Sequence, residues 1–221
     1  MSFNIAIDGP AGAGKSTIAK ELAKELSFLY VDTGAMYRAI AYDILARGIA
    51  PEDADAVAGA CPDIHVSLAY EDGAQRVYVN GTDISEEIRR EEVGNAASVV
   101  SAYPAVREAL FSLQRSIAAE HDVVMDGRDI GTCILPNAQL KIFLTASVQT
   151  RARRRCLELT GRGETPDPEQ IERDLLERDE RDTQRAAAPL RAAEDAVTVD
   201  SSDLTIEQVV DVIKRLYEER K

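Results

Sequence analysis

Gly9-Pro10-Ala11-Gly12-Ala13-Gly14-Lys15-Ser16, followed by Thr17, matches the pattern G-x-x-x-x-G-K-[ST] in full. Glycines at these spacings let the backbone curl until its N–H groups face an anion, and the N-terminus of the helix that follows adds a positive dipole end. Lys15 can reach the β- and γ-phosphates of a bound nucleotide, and Ser16 offers a hydroxyl to Mg²⁺. The chemistry these types and spacings support is the binding of a nucleoside triphosphate. A phosphate loop alone names no reaction, since switch GTPases, motor and translocating ATPases and small-molecule kinases all carry one. No Asn-Lys-x-Asp guanine motif occurs in the chain, and its 221 residues leave little room for the further domains of a remodelling ATPase.

Arginine is the second anomaly. Ten of the 20 arginines fall between Arg151 and Arg191, in a chain whose formal charge is −13. Within "ERDERDTQR", Arg178, Asp182 and Arg185 stand at i, i+4 and i+7, one face of a helix. An isolated charged helix would read as an exposed ion-pair ladder, and "DGRDIGT" (126–132) as a turn with Arg128 on the surface. Asp32 in "DTGAMYR" would read as a helix N-cap, which does not exclude a ligand contact. Beside a phosphate loop in an acidic protein, the same residues suit a second phosphate-bearing molecule held at the carboxyl ends of the strands.

The elements that must position these groups follow an alternating rhythm. Apolar runs at 3–8, 29–31, 123–127, 140–147 and 197–202 read as strands, each preceding a helical or polar stretch, so an α/β fold with a five-stranded parallel sheet is expected. Ile18, Leu22 and Leu26 form one helical face, as do Met36, Ile40 and Ile44, in a helix that Gly48 closes. The last helix starts at a Thr205-x-x-Gln208 capping box and is expected to bury Val209, Val212, Ile213 and Leu216. Residues 63–84 alternate with period two and contain Asp72-Gly73 and Asn80-Gly81, the pattern of a small antiparallel meander. A charged helix near 86–100 and another from Pro104 follow it. "LTGRGETPDPEQ" (159–170) has the glycine, proline and charge of an exposed, mobile loop, which beside arginines reads as a lid.

Bulk properties narrow the classes further. The acidic balance argues against nucleic-acid or anionic-membrane partners. No apolar run approaches a membrane span and the N-terminus lacks signal-peptide order, so a soluble, cytoplasmic protein is expected. Cys61, Cys133 and Cys156, with only His65 and His121 to join them, suit neither a disulfide framework nor a zinc site. A monomer is expected, because no long apolar stripe is left unassigned.

The segments "IDGPAGAGKST", "VDTGAMYRA", "EVGNAASVVSAYPAVREAL", "MDGRDIGT", "KIFLTAS" and "ERDERDTQRAAAPL", in this order over residues 5–190, resemble the bacterial cytidylate kinases. The resemblance implies a three-layer P-loop fold, with a kinase core at 1–62 and 101–221, a lid at about 155–170 and a nucleoside monophosphate-binding insert at 63–100. It implies that ATP and Mg²⁺ are used to phosphorylate CMP or dCMP. Thr33, Tyr37, Arg38, Ser98, Arg107, Arg128, Asp129, Arg178, Asp182 and Arg185 would hold the acceptor. Residues 9–17 would hold ATP, with Ser16 at the metal, and Lys15, Arg128, Arg178 and Arg185 would be catalytic. Some members have "KGT" where this chain has Lys15-Ser16-Thr17.

Residue chemistry agrees. Cytosine N4 needs an acceptor, which Asp129 or Asp182 could supply, while Ser98 and Arg107 could donate to N3 or O2. Which carboxylate meets the base stays open. Two alternatives remain at this level: a kinase for another nucleoside monophosphate, and a nucleotide sensor that transfers nothing.

Overall fold

Unbroken apolar runs suit strands covered on both faces, and Ile5-Ala6-Ile7 and Val123-Val124-Met125 are entirely buried. The computed structural model describes residues 2–71 and 74–221. In chain order its elements are β1 (Asn4–Asp8), α1 (Lys15–Leu26), β2 (Leu29–Asp32), α2 (Thr33–Ala46), α3 (Ala54–Ala60), β3 (Val66–Glu71), β4 (Ala74–Val79), β5 (Thr82–Asp83), α4 (Glu91–Val100), α5 (Pro104–Glu120), β6 (Val123–Gly127), β7 (Leu140–Thr145), α6 (Val148–Gly161), α7 (Pro168–Gln184), β8 (Val197–Asp200) and α8 (Ile206–Glu218). The chain divides into two compact units, one of Tyr30–His121 with Ser2, the other of Phe3–Leu29 and Asp122–Lys221.

The parallel sheet has the order β2-β6-β1-β7-β8. β1 lies between β6 and β7, in register Ile7↔Asp126 and Ile7↔Ile142. The carboxyl ends of these three strands are therefore neighbours, and the loops they launch carry the chemistry. α8 buries Val209, Val210, Ile213 and Tyr217, so Tyr217 takes the place expected of Leu216. Its ring meets Phe3 edge-on at 4.9 Å and Phe28 at 5.7 Å, joining α8 to the start of β1 and the end of α1. An aromatic cluster of this size wins the buried position over a smaller leucine.

In the other unit, β3, β4 and β5 form the expected antiparallel meander. Asn80 (φ 50°) and Gly81 (φ 82°) make a two-residue turn with both φ positive, the geometry that matches strand twist in a hairpin. Asp72-Gly73 lies outside the described residues. The helix expected over 86–100 is interrupted, because Arg90 is extended (ψ 144°) and α4 starts anew at Glu91. α6 and α7 reach further into 159–170 than expected, leaving residues 162–167 as the connector. Among the described residues, no helix is long and apolar enough to cross a membrane.

Candidate active site

β1 ends at Asp8, and the chain turns at once. A Cβ on Gly9 would stand 1.9 Å from the carbonyl oxygen of Leu144, and Gly12 and Gly14 have φ of 75° and 90°, so these positions demand glycine. Gly14 caps α1 without a side-chain hydrogen bond. The first amides of α1 thus receive no capping oxygen from Gly14, as an anion site requires.

Lys15 is the first residue of α1 and only 6% exposed, with Nζ donating to the carbonyl of Pro10 at 2.8 Å. Burial, with the positive charges of Arg128 and Arg178, pushes its pKa down to about 7, against the opposing pull of Asp126 and Asp8. A polyphosphate beside the ammonium favours the charged form, so nucleotide binding should restore the proton. The expected result is proton uptake approaching one per ATP bound at about pH 8, fading below about pH 6, where Lys15 is already charged. Calorimetry in buffers of different ionisation heat measures it. Uptake independent of pH, or retained in Lys15→Ala, would contradict the assignment.

Ser16 Oγ donates to Asp126 Oδ2 at 2.9 Å. The β1–β6 register sets this pair, and Asp126 is 4% exposed. The sequence reading named Ser16 alone as a metal group. The available signal for Asp126 was a carboxylate at the end of an apolar strand. Asp8 was also missed. Its carboxylate accepts from the backbone N–H groups of Ile130 (2.8 Å) and Gly131 (2.7 Å), and burial pushes its pKa up to about 6. The last residue of β1 therefore holds the segment that carries Arg128 and Asp129.

That segment meets the end of α7. Arg128 Nε donates to Asp182 Oδ2 at 2.8 Å, and Arg185 Nη2 donates to Asp129 Oδ1 at 2.9 Å. Asp182 and Asp129 are nearly inaccessible, unlike members of a surface ion-pair ladder. Burial alone would raise the pKa of Asp182, but Arg128, Arg178 and Arg185 together hold it below the usual carboxylate value. Arg185 is not on the helix. α7 stops at Gln184, and Arg185 is extended (ψ 138°), with Nε donating to the carbonyl of Ala188 at 2.6 Å. The i, i+7 spacing therefore misplaces it, since a tertiary bond to Asp129 and a local one to Ala188 hold it in an extended conformation past the end of the helix.

Arg178 is half-buried on α7, and the other candidates lie in the unit of Tyr30–His121. Asp32 caps α2, accepting from Ala35 N at 2.8 Å, and also accepts from Arg38 Nη2 at 3.1 Å, so cap and ion pair coexist. Thr33 is buried at the start of α2. The Arg107 guanidinium stands 5.7 Å from the centre of the Tyr37 ring. The Ser98 Oγ is buried with no hydrogen-bond partner among the described residues.

Comparison with known proteins extends this picture over the whole chain. The sequence model of the cytidylate kinase family matches residues 5–219. The chain is similar to the cytidylate kinase of Geobacillus sp. (strain WCH70), at 49% identity over 219 residues, covering 99% of this chain and 98% of that one. It is 51% identical to the cytidylate kinase of Desulfitobacterium hafniense (strain Y51) over 219 residues, covering 99% and 94%. In fold it is similar to a shikimate kinase from Bacteroides thetaiotaomicron, with a TM-score of 0.50 at 14% identity over 98% of each chain. A match that runs far beyond the phosphate loop, through the arginine-bearing segments that follow it, makes this chain a member of the cytidylate kinase family.

Proposed function

We propose that the protein transfers the γ-phosphoryl group of ATP to CMP or dCMP, giving ADP and CDP or dCDP. The observation that carries this reading is the pair of buried ion pairs, Arg128–Asp182 and Arg185–Asp129, in the same unit as the phosphate loop. The guanidiniums of Arg128 and Arg178, whose charges act on Lys15, suit a reaction whose difficulty is gathering negative charge.

The acceptor is a phosphate monoester with a second pKa of about 6, so at neutral pH it is mostly dianionic and needs no general base. Both histidines, His65 and His121, are exposed and belong to the unit without the phosphate loop. An oxygen of the acceptor phosphate forms the new bond to the γ-phosphorus while the bond to the β,γ-bridging oxygen breaks, and ADP leaves with that electron pair. Residues 9–17 bind ATP, and Lys15, Arg128, Arg178 and Arg185 neutralise the transferring group. Thr33, Tyr37, Arg38, Ser98, Arg107, Asp129 and Asp182 hold the acceptor. The unpartnered Ser98 hydroxyl supports such a role, since a buried hydroxyl without a partner is costly unless a ligand meets it. The meander region 63–100 serves the acceptor nucleotide, and about 155–170 serves as the lid.

Mg²⁺ fits the donor set. Ser16 and Asp126 offer hard oxygens 2.9 Å apart, and this ion commonly takes only one or two protein ligands, with water and phosphate filling the rest. Held there, it would supply positive charge that offsets the charge of the nucleotide phosphates. One chain carries every group named, in keeping with a monomer, and three free cysteines suit the reducing cytoplasm.

A coupled ATP-consumption assay across CMP, dCMP, UMP, AMP and GMP tests the proposal. Turnover of roughly 1–100 s⁻¹ is expected with CMP and dCMP. UMP should be poorer, because its O4 cannot donate to a carboxylate that accepts from cytosine N4. Preference for another acceptor would identify a different monophosphate kinase, and no consumption with any of the five a nucleotide sensor.

A further inference from the structure

Arg151 is 5% exposed, in the first turn of α6, and none of the roles above uses it. Its Nε donates to the carbonyl of Ala146, at the end of β7, at 3.0 Å. Its Nη1 donates to the carbonyl of Ala11 in the phosphate loop at 3.0 Å and pairs with Asp179 Oδ2 on α7 at 2.6 Å. One terminal nitrogen thus hydrogen-bonds the donor loop and forms an ion pair with the helix that carries Arg178 and Asp182. The approach is close: a Cβ on Gly12 would lie 3.2 Å from Arg151 Cβ.

A trans peptide sets its C=O and N–H on opposite sides. With the Ala11 carbonyl held by Arg151, the N–H of Gly12 must point away from α6. Arg154 acts similarly one peptide pair later, its Nη1 donating to the Ala13 carbonyl at 3.3 Å and thereby orienting the N–H of Gly14. Lys15 holds the Pro10 carbonyl in the same loop. An anion-binding nest needs successive amides aimed inward, and the α6 guanidiniums hold alternate carbonyls outward.

We propose that Arg151 is the positioning residue of the phosphoryl-transfer site, setting the peptide planes of the phosphate loop and the station of α7 with one guanidinium. A planar fork can serve three acceptors in fixed directions, whereas an ammonium is a point charge on a flexible stem. Asp179 is the α7 half of the device. Its other oxygen, Oδ1, is buried without a hydrogen-bond partner among the described residues, so the tie to Arg151 is its main anchor.

The turnover readout rests on the proposed phosphoryl transfer, whereas ATP binding does not, so both are measured. Calorimetric ATP affinity without acceptor, kcat with CMP and the melting temperature are compared for wild type, Arg151→Lys and Asp179→Asn. Arg151→Lys should weaken ATP binding by about tenfold and lower kcat, because the loop amides lose their aim. Asp179→Asn keeps the side-chain shape but weakens the tie to α7, and should lower kcat by about 10- to 100-fold with ATP affinity within about twofold of wild type. A merely structural pair would shift only the melting temperature, and wild-type affinity and kcat in both variants overturn the proposal. Should Arg151→Lys fail to fold, Asp179→Asn decides alone, and unchanged kcat there overturns it. If wild type transfers to no acceptor while Arg151→Lys still loses ATP affinity, the function falls and the placement of the loop stands.

Discussion

Lys15→Ala is expected to lower phosphoryl transfer by about 10³-fold or more while leaving the fold intact. The buried ammonium is the cation built into the loop itself, and its value is greatest where water is excluded. Its cost to folding runs the other way. Burial and the fields of Arg128 and Arg178 disfavour the charged form more than Asp126 and Asp8 favour it, which is why the pKa falls. Alanine removes that strain along with the hydrogen bond to Pro10, so the melting temperature should move little. Stopped-time ADP formation and a thermal melt on the same sample test both halves. Turnover near wild type would remove the phosphate loop from the mechanism.

Arg178→Ala and Arg185→Ala are expected to diverge in stability although both cripple transfer. An arginine that neutralises a transferring phosphoryl group is worth about 10³- to 10⁵-fold in rate, and either loss should approach that range. Arg178 is half-buried on α7 and its charge helps hold Asp182 ionised, so its truncation should lower the melting temperature less than the loss of Arg185 does. Arg185 is 7% exposed at the side chain and paired with an Asp129 side chain that is 5% exposed. Removing one partner of such a buried pair costs about 3–5 kcal/mol, so Arg185→Ala should also unfold at markedly lower temperature. Kinetics measured well below each variant's melting point separate the two effects. Wild-type kinetics in Arg178→Ala would return that face of α7 to a surface ion-pair role, and an unshifted melt in Arg185→Ala would deny the buried pair.

Local chemistry was the legible part of the site. The glycines at 9, 12 and 14 were readable because backbone curvature at those spacings needs them, and Asn80-Gly81 because a two-residue hairpin needs two positive φ values. The strands were readable from unbroken apolar runs, and α1 and α2 from their apolar spacing. Failures began where a residue's partner was remote. Asp126 lies 110 residues from Ser16, and Asp8 lies 122 and 123 from the amides it holds. Arg151 lies 140 from Ala11. Arg185 was put on a helix by its spacing, but the bond to Asp129, 56 residues away, pulls it off.

By itself the sequence determined the five strands of the parallel sheet, the glycine turns of the phosphate loop and the clustering of arginine between Arg151 and Arg191. Each of these is written in residue type and short spacing, and periodicity and φ preference act over only a few residues. The tertiary structure alone decided which carboxylate faces which guanidinium: Asp182 for Arg128, Asp129 for Arg185 and Asp179 for Arg151. Those choices depend on strand register and on where each helix stops. Both are settled by packing between segments far apart in the chain, and no local pattern records it.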